Sequence, residues 1–501
     1  MKKIVEYICI GFVLTICSCS DDFLDKSDPT KLNSGSFYKT EVQIEQALIG
    51  VYSQLQDYIS SNESWAFNEM ISDNTTVHFN QMDRGQSPSL EAIEYWQLVS
   101  NTENVGSLYN RFYQNLANIN LTLSKMEGAT INASAKSNFE GQLKFMRAYY
   151  YFQLVQFFGD VIIVTEPIAD PDEAWSYGRS PASEVYALID SDLKFAVDAL
   201  PVKNTKTGYA TKGAALTLQG RTYLVRRQYA EAVASFRQVA QLGYQILPDY
   251  ADVFDPAKKN HAESIMDVQF QGGNDWGEYS GFIYTFYPRE SYGAVIPFPG
   301  RSGGGWNIPT LDIIGDYEEG DLRKDISLKE GYTSNEGEWV AIPYINKFNH
   351  PHTIEGRPDD NWPLMRYAEV LLSLAEAINE TDGPTDEAYG YVNRIRERAG
   401  LAPVSGLTKE SFRTAVLHER RIELAFENHR WLDLVRTHTL AELSTLLNAY
   451  GVKERANPTT SRGSIPFNEY DLRFDAYEAL LPIPLRETRL NKNLTQNEGY
   501  E

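Results

Sequence analysis

Residues 216–236, LTLQGRTYLVRRQYAEAVASF, carry the pattern that decides the fold. Within them Gly220, Tyr223, Ala232 and Phe236 follow one another at spacings of 3, 9 and 4 residues. A small residue lets two helices touch, and alanine and aromatic residues at fixed offsets complete the contact between them. The stretch therefore predicts two helices that pack closely as a hairpin.

This spacing is typical of a tetratricopeptide hairpin, although Leu216 and Gln219 stand where Trp and Leu are usual. A hairpin of this kind cannot bury its apolar face alone, so several are expected to stack into a curved helical layer. Looser copies of the pattern occur on both sides of the first. We expect the hairpins over about residues 134–243 and 364–400.

Helical periodicity also runs through most of the remaining chain. Apolar residues such as Ile44, Leu48 and Val51 recur at the spacing of one helix face. Long helical stretches are predicted over about residues 134–158, 181–199, 211–243, 364–380, 385–399, 409–436 and 438–450. The strand-like segments are few and short, for example 161–164 and 265–270. We therefore predict a mainly α-helical fold.

The periodicity disappears between about residues 271 and 363. Glycine and tryptophan crowd together there, as in the segments 272–276 and 303–306. This irregular stretch is too long to be a simple connection between helices, so it predicts a functional loop region. It holds four of the eight tryptophans, and exposed aromatic rings are what sugar-binding surfaces use.

The charge of the chain excludes one class of partner. It has 501 residues, with 46 Lys and Arg against 68 Asp and Glu, and a formal net charge of −22. Such a charge opposes a phosphate backbone, so we expect no nucleic-acid partner. Hydrophobic residues make up 42% of the chain and charged residues 23%, which is an ordinary globular composition.

The amino-terminal segment has the features of an export signal. Lys2 and Lys3 precede an apolar run over residues 8–16, which has the length of a signal-peptide core and is too short to span a bilayer. The run ends in Ile16-Cys17-Ser18-Cys19, which resembles the lipobox of bacterial lipoproteins. The alternative is an ordinary cleaved secretory signal with an incidental cysteine.

The lipobox interpretation divides the chain into three parts. Residues 1–18 are predicted to be a lipoprotein signal peptide, residues 19–40 a tether acylated at Cys19, and residues 41–501 a single domain. All three cysteines lie in the first nineteen residues, so acylation of Cys19 leaves no thiol for disulfides, metal ligation or catalysis. The acidic residues directly after Cys19 resemble a surface-export signal, so we expect the extracellular face of an outer membrane.

Catalytic and metal motifs are weak. Glu419, Glu423 and Glu427 have helical spacing, which suits either the carboxylates of a glycoside hydrolase or ion pairs with neighbouring arginines, and the second interpretation is favoured. His350 and His352 are either two metal ligands or, as favoured here, two solvated imidazoles in a loop. We expect no cofactor, although a structural Ca²⁺ bound by scattered oxygens has no spacing that a sequence would reveal.

Longer phrases resemble the RagB/SusD family of outer-membrane glycan-binding lipoproteins, and they span essentially the whole chain. They include Phe158-Gly159-Asp160-Val161 and Arg366-Tyr367-Ala368-Glu369. The most specific is Glu419-Arg420-Arg421-Ile422-Glu423-Leu424-Ala425-Phe426-Glu427 followed by Arg430-Trp431-Leu432-Asp433-Leu434-Val435-Arg436.

The resemblance implies a SusD-like fold in which tetratricopeptide-like hairpins on one side contact the barrel of a SusC-like TonB-dependent transporter. A loop-rich side would hold a glycan ligand. The implied function is capture of an oligosaccharide and its delivery to the transporter without catalysis, by a protein held to the outer membrane through its lipid. A surface glycoside hydrolase and a scaffolding or peptide-binding repeat lipoprotein are the alternatives.

No ligand-binding residue transfers by motif, so the candidates rest on composition and placement. Trp431 is assigned to the core. The segment 72–74 resembles a family segment close to the ligand, and the irregular region supplies aromatic and basic residues. The candidate ligand-binding residues are Asp73, Asn74, Trp96, Trp276, Tyr279, Arg301 and Trp306.

Overall fold

The computed structural model describes residues 37–82, 84–85, 87–203, 206–273, 277–298 and 303–500. The predicted signal peptide, Cys19 and most of the predicted tether lie outside these residues. Every helix within the described ranges is too short or too polar to cross a membrane.

Helices dominate the structure, which confirms the prediction of a mainly α-helical fold. The long helices are α1 (Glu41–Ser60), α4 (Glu103–Met126), α5 (Ala133–Phe158), α7 (Ala182–Ala199), α8 (Lys212–Val225), α9 (Tyr229–Ala240), α13 (Tyr367–Asp382), α14 (Asp386–Arg398), α15 (Lys409–Glu423) and α17 (Leu440–Ala456). The shorter ones are α2 (Asn62–Trp65), α3 (Ser87–Glu94), α6 (Pro171–Ala174), α10 (Phe282–Phe286), α11 (Leu311–Asp316), α12 (Lys324–Ser327), α16 (Arg430–Thr437) and α18 (Leu485–Leu490).

Threonine residues mark where many of these helices begin. At α1 the side chain of Thr40 accepts a hydrogen bond from the backbone N–H of Gln43, and the Gln43 side chain accepts one from the backbone of Thr40. Thr408 and Thr439 form the same reciprocal arrangement before α15 and α17. These contacts satisfy N–H groups that the first helical turn leaves without partners.

The predicted hairpin is formed by α8 and α9. A β-carbon built on Gly220 would lie only 2.5 Å from Cε1 of Phe236, so the glycine permits the close approach of the two helices. Phe236 is fully buried as a result. The helical layer runs through α4, α5, α7, α8, α9 and α13, each packing on the next, and α14 and α15 both pack on α13.

One long predicted helix is interrupted. The stretch 409–436 is divided into α15, which ends at Glu423, and α16, which begins at Arg430. Between them Phe426 and Asn428 have φ angles of 66° and 65°, which a helix does not allow. The turn directs Glu427 into the core, where it meets buried cations, and this tertiary contact overrides helical periodicity.

The strands are short and pair in twos. They are β1 (Thr75–Thr76), β2 (Ser264–Val268), β3 (Ile308–Pro309), β4 (Leu328–Lys329), β5 (Tyr332–Thr333), β6 (Trp339–Val340), β7 (Tyr344–Ile345) and β8 (Trp362–Arg366). All four pairs are antiparallel: β1 with β3, β2 with β8, β4 with β7, and β5 with β6. The predicted strand over 161–164 is reduced to one bridge between Val161 and Ser180.

A cluster of buried charges holds the irregular region to the helices. Arg366 donates hydrogen bonds to Glu423 at 2.5 Å and to Glu427 at 2.7 Å, and Arg323 donates to Glu419 at 2.5 Å. All five side chains are nearly inaccessible to solvent. The predicted ion pairs of these glutamates are confirmed, but their partners come from distant segments rather than from neighbouring arginines. Further members of the cluster are Glu263, Lys347 and Arg398.

Candidate ligand-binding face

Side-chain contacts join the irregular region, the segment after β1 and residues 461–467, and the exposed part of these segments is here called the loop face. It is built from residues 78–82, 279–298, 332–340, 350–357 and 461–467. The contacts described next join these segments to one another.

The pairing of β1 with β3 attaches the first segment to the irregular region. Beyond the strands, the backbone N–H of His78 donates to the carbonyl of Gly305 at 2.8 Å. Gly305 has a φ of 63°, and a β-carbon there would lie 3.1 Å from both His78 and Arg289, so this close approach requires glycine. Nearby, the side-chain amide of Asn80 donates to Glu290 at 3.3 Å. Residues 78–82 therefore lie against residues 289–290.

His78 adds no charge to the loop face at neutral pH. Burial and the neighbouring Arg289 guanidinium lower the pKa of its imidazole to about 4. Its Nδ1 atom is buried and has no hydrogen-bond partner among the described residues. The imidazole is thus a neutral polar group at the edge of this surface.

Two exposed aromatic rings on the loop face belong to segments that contact each other. The β5–β6 hairpin docks there because the amide of Asn335 donates to the carbonyl of Tyr292 at 2.9 Å. Tyr292 is 48% exposed, and Trp339, in strand β6 of the hairpin, is 64% exposed. Large exposed rings are costly in water unless a ligand or partner covers them, so both are candidate stacking surfaces.

A third exposed ring, Tyr279, continues this surface. It is 37% exposed, and the guanidinium carbon of Arg357 lies 5.7 Å from its ring centroid. Farther along, His352 Nε2 lies 2.6 Å from the hydroxyl of Tyr284, and its ring packs 5.0 Å from that of Phe298. The sequence-predicted Tyr279 therefore lies on the loop face.

Cations and aromatic rings are interleaved at the opposite border of the face. Phe79 lies between the guanidinium carbons of Arg84 and Arg462, at 4.4 and 4.3 Å from its ring centroid. Arg462 also lies 4.0 Å from the ring of Phe467 and donates to the hydroxyl of Tyr95 at 2.6 Å. Cation–π contacts of this kind hold long side chains in place.

The other predicted residues of the irregular region have different outcomes. Trp306 is half-buried and packs against the hydrophobic core. Its indole N–H is buried and has no hydrogen-bond partner among the described residues. Trp276 and Arg301 lie outside the described residues, so their ligand role stays a prediction.

Asp73 and Asn74 are buried and do not belong to the loop face, so their ligand role stays a prediction. Asp73 is 3% exposed and accepts two hydrogen bonds of 2.7 Å from Arg430. Burial alone would raise the pKa of Asp73, but Arg421 and Arg430 outweigh it and lower the pKa below its usual value. Asn74 donates to Glu69 at 2.8 Å and accepts from Arg421 at 2.9 Å. Their polar atoms are engaged within the protein.

Trp96 is also a core residue rather than a ligand contact. It is 2% exposed, and its indole N–H donates to the carbonyl of Ile71 at 2.8 Å. The rings of Phe474 and Tyr450 pack edge-on against it, at centroid distances of 5.4 and 6.4 Å. Its polar neighbours in sequence suggested exposure, but residues about 350 positions later cover it.

The most exposed rings were missed by sequence reasoning, although one signal was available. Trp339 and Tyr332 flank the segment Ser334-Asn335-Glu336-Gly337, whose composition is typical of a turn. Trp339 is exposed beside this turn, whereas Tyr332 on the other strand is only 7% exposed, so the turn alone did not determine which ring is exposed. Tyr292 has no comparable local signal.

The histidines do not form a metal site with acidic neighbours. His350 pairs with Asp360 at 2.5 Å and His352 contacts Tyr284, so both imidazoles are half-buried and engaged rather than solvated as expected. Across the described ranges, no group of three His, Cys, Asp or Glu side chains is placed to hold a metal ion.

Comparison with known proteins identifies two family models along the chain. The model described as "SusD family" matches residues 319–500, and the model described as "Starch-binding associating with outer membrane" matches residues 22–224. Together they account for most of the chain.

Individual relatives are similar over most or all of their length. SusD-like protein P2 of Formosa agariphila is 27% identical, with 100% of both chains covered. Starch-binding protein SusD of Bacteroides thetaiotaomicron is 24% identical over 83% of this chain and 81% of that protein. A solved laminarin-binding SusD-like protein is 26% identical, with a TM-score of 0.76 over 92% of this chain and 100% of the other. By fold, family models and relatives, the chain belongs to the SusD family.

Proposed function

We propose that this protein is a non-catalytic lipoprotein of the outer-membrane surface that binds oligosaccharides and delivers them to a TonB-dependent transporter. The observation that carries the proposal is the presence of three exposed aromatic rings, Tyr279, Tyr292 and Trp339, on the loop face. Two relatives bear names that state glycan ligands, starch and laminarin.

The chemistry of the loop face suits a neutral sugar. An exposed ring stacks on the C–H face of a sugar, and side-chain amides and guanidinium groups hydrogen-bond to its hydroxyls. Asn335 and Arg357 lie beside the exposed Tyr292 and Tyr279, respectively. His78 is neutral at neutral pH and adds no charge to this surface.

The burial of Glu419, Glu423 and Glu427 argues against these three residues as catalytic carboxylates. A glycoside hydrolase needs two carboxyl groups that reach the glycosidic bond. Glu423 and Glu427 are fully buried and paired with Arg366, and Glu419 is 1% exposed and paired with Arg323. None of these carboxylates reaches a sugar on the surface.

Delivery to a transporter rests on family membership and on the lipobox at Cys19. Acylation of Cys19 would keep the domain at the membrane, with the helical layer and the loop face as its two large surfaces. We infer that the helical layer contacts the transporter barrel and that the loop face holds the glycan. No cofactor is needed for this function.

Binding is tested with the purified protein in native gels that contain laminarin, starch, xylan, mannan, galactan or alginate. We expect retardation by at least one glycan, and about a tenfold loss of affinity in the Tyr292→Ala/Trp339→Ala double variant. Trp175→Ala is the matched control, since Trp175 is 42% exposed but lies beside α6, outside the loop face. Retardation by none of the glycans contradicts the proposal, and new reducing ends at enzymatic rates contradict its non-catalytic part.

A further inference from the structure

A second concave surface lies between α11 and α17, here called the α11–α17 groove. Its volume is about 870 Å³, which is the size of a small-molecule site. Leu311, Asp312 and Asp316 line one wall, and Ala449 and Lys453 line the other. The groove shares no lining residue with the loop face.

The floor of the groove holds fixed hydrogen-bonding groups. Arg421 donates to Asp312 and Asp316, each at 3.0 Å, and lies 3.3 Å from Asp73. Arg430 holds the other side of Asp73. These contacts fix the guanidinium groups without a ligand, so little conformational entropy remains to be lost on binding.

The carboxylates retain accessible acceptor capacity. The side chains of Asp312 and Asp316 are 20% and 33% exposed, whereas that of Arg421 is 8% exposed. An ionised carboxylate has about four acceptor positions, and the hydrogen bonds from Arg421 and Lys453 leave several of them on these two residues. The groove therefore exposes the carboxylate acceptors of Asp312 and Asp316, while the Arg421 guanidinium that donates to them is buried.

A buried polar group in the groove wall lacks a partner. Tyr450 lines the groove and is 3% exposed, and its hydroxyl has no hydrogen-bond partner within the described ranges. Burial is the main cause that raises the pKa of the Tyr450 hydroxyl. The nearby carboxylates of Glu454, Asp73 and Asp312 raise it further. Buried hydroxyls are normally hydrogen-bonded. We therefore expect a ligand in the groove, or a water molecule beneath it, to form a hydrogen bond with the Tyr450 hydroxyl.

The charges indicate which ligand fits. The carboxylates of Asp73, Asp312, Asp316 and Glu454 outnumber the cations of Arg421, Arg430 and Lys453 by one. Such a surface repels a polyanion, while adjacent donors and acceptors match hydroxyl groups, which both donate and accept. Leu311, which is 41% exposed, adds an apolar patch for sugar C–H groups.

We propose that the α11–α17 groove is a second subsite for neutral sugar units of the same glycan that binds the loop face. This inference rests on the proposed function. The two surfaces are close along the chain: Asn457 lines the groove, and Arg462, five residues later, packs on Phe79. Five residues span at most about 17 Å, so a long oligosaccharide can reach both.

The test fills the groove without disturbing the fold. Gly315 lines the groove and is exposed in α11, and a β-carbon there would have no atom within 4 Å. Gly315→Trp therefore occupies the groove. Gly390→Trp is the matched control, because Gly390 lies in α14, is exposed and is equally open. Thermal unfolding of both variants checks that the fold is retained.

Calorimetry measures how the affinity depends on the length of the glycan. The ligands are laminarin, starch and their oligosaccharides, or whichever glycan retards the protein in the native gels. We expect Gly315→Trp to lose about tenfold in affinity for the polymer while its affinity for the shortest oligosaccharide bound is unchanged. Equal polymer affinities of Gly315→Trp and Gly390→Trp overturn the second subsite alone. If the unsubstituted protein binds no glycan, the proposed function fails and the subsite with it, and a preference for alginate contradicts the neutral ligand.

Discussion

Arg430 holds the carboxylate of Asp73 with two hydrogen bonds of 2.7 Å, in a place where the Asp73 side chain is only 4% exposed. This pair joins the start of α16 to the segment before β1, which leads directly into the loop face. The interaction therefore fixes the segment that leads into the loop face against α16.

Removal of the Arg430 guanidinium should destabilise the fold. The Arg430→Met variant leaves Asp73 buried with Arg421 as its remaining cation, and the loss of one partner of a buried pair costs roughly 3 kcal/mol. Urea-induced unfolding at pH 7 measures the difference. Because the pKa of Asp73 is lowered in the folded state, its ionised form stabilises the fold above its ordinary pKa, and the difference should shrink as the pH falls through that range.

An exposed ion pair provides the control for this variant. Arg237 and Glu387 pair at 2.6 Å with side chains that are 47% and 39% exposed. Arg237→Met should cost less than about 1 kcal/mol. Equal losses of unfolding free energy in the two variants would show that burial does not explain the contribution of the Arg430–Asp73 pair to stability.

Glu69 should make stability fall between pH 5 and pH 8. Burial raises the pKa of this carboxyl to about 7, although hydrogen bonds from Asn74 and Phe426 lower it in part. The folded state thus binds a proton more tightly than the unfolded state, so its stabilising effect is present in acid and is lost as the pH rises through 7.

The Glu69→Gln variant isolates this effect. Gln cannot ionise, and its amide oxygen can still accept from Asn74 and Phe426. We expect little difference from the unsubstituted protein at pH 5 and a gain of roughly 2 to 3 kcal/mol at pH 8, measured by urea-induced unfolding. A pH-independent difference would contradict the raised pKa.

Gly220 should tolerate no side chain. The β-carbon of Gly220→Ala would overlap the buried ring of Phe236, and overpacking costs about 1 to 3 kcal/mol, more than the gain of about 1 kcal/mol that Ala has over Gly inside a helix. We therefore expect a lower melting temperature. Gly390→Ala, in open space, should raise it slightly, and Phe236→Leu should partly rescue Gly220→Ala in the double variant.

Substitution of the buried Trp96 should affect stability and not glycan affinity, whereas substitution of the exposed Trp339 should affect glycan affinity and not stability. Trp96→Leu removes a buried ring and its hydrogen bond to Ile71, so it should cost roughly 3 kcal/mol of stability and leave glycan affinity unchanged. Trp339→Ala removes an exposed ring, so it should change stability by less than about 0.5 kcal/mol and weaken glycan binding. Unfolding and calorimetry on the same two variants separate the roles, and loss of glycan affinity in correctly folded Trp96→Leu would restore Trp96 as a ligand contact.

The helical layer was predictable because its determinants are local. Gly220 and Phe236 lie sixteen residues apart in one hairpin, and their contact follows from spacing alone. The irregular region was predictable in the same way, since its loss of periodicity is a property of a single stretch. The family resemblance added the division into a helical side and a ligand side.

Burial set by distant residues was not predictable. Trp96 is covered by Tyr450 and Phe474, and the helix predicted over 409–436 breaks because Glu427 meets Arg366 and Lys347. Periodicity reports which residues share a helix face but not which segment packs on it. The residues of the candidate site were predicted least accurately, because the exposure of a single ring depends on the whole fold.

The buried charge cluster has a consequence for the order of folding. Arg323, Lys347, Arg366 and Arg398 all precede Glu419, Glu423 and Glu427 in the chain. A cation cannot be buried before its counter-charge arrives. Glu263 and Asp321 can pair with Arg366 and Arg323 earlier, but Lys347 pairs with Glu427, so we expect the part of the irregular region around Lys347 to stay unassembled until the turn after α15 has been synthesised. A chain truncated before residue 419 should then keep its loop face open to proteases, even where its amino-terminal helices have formed.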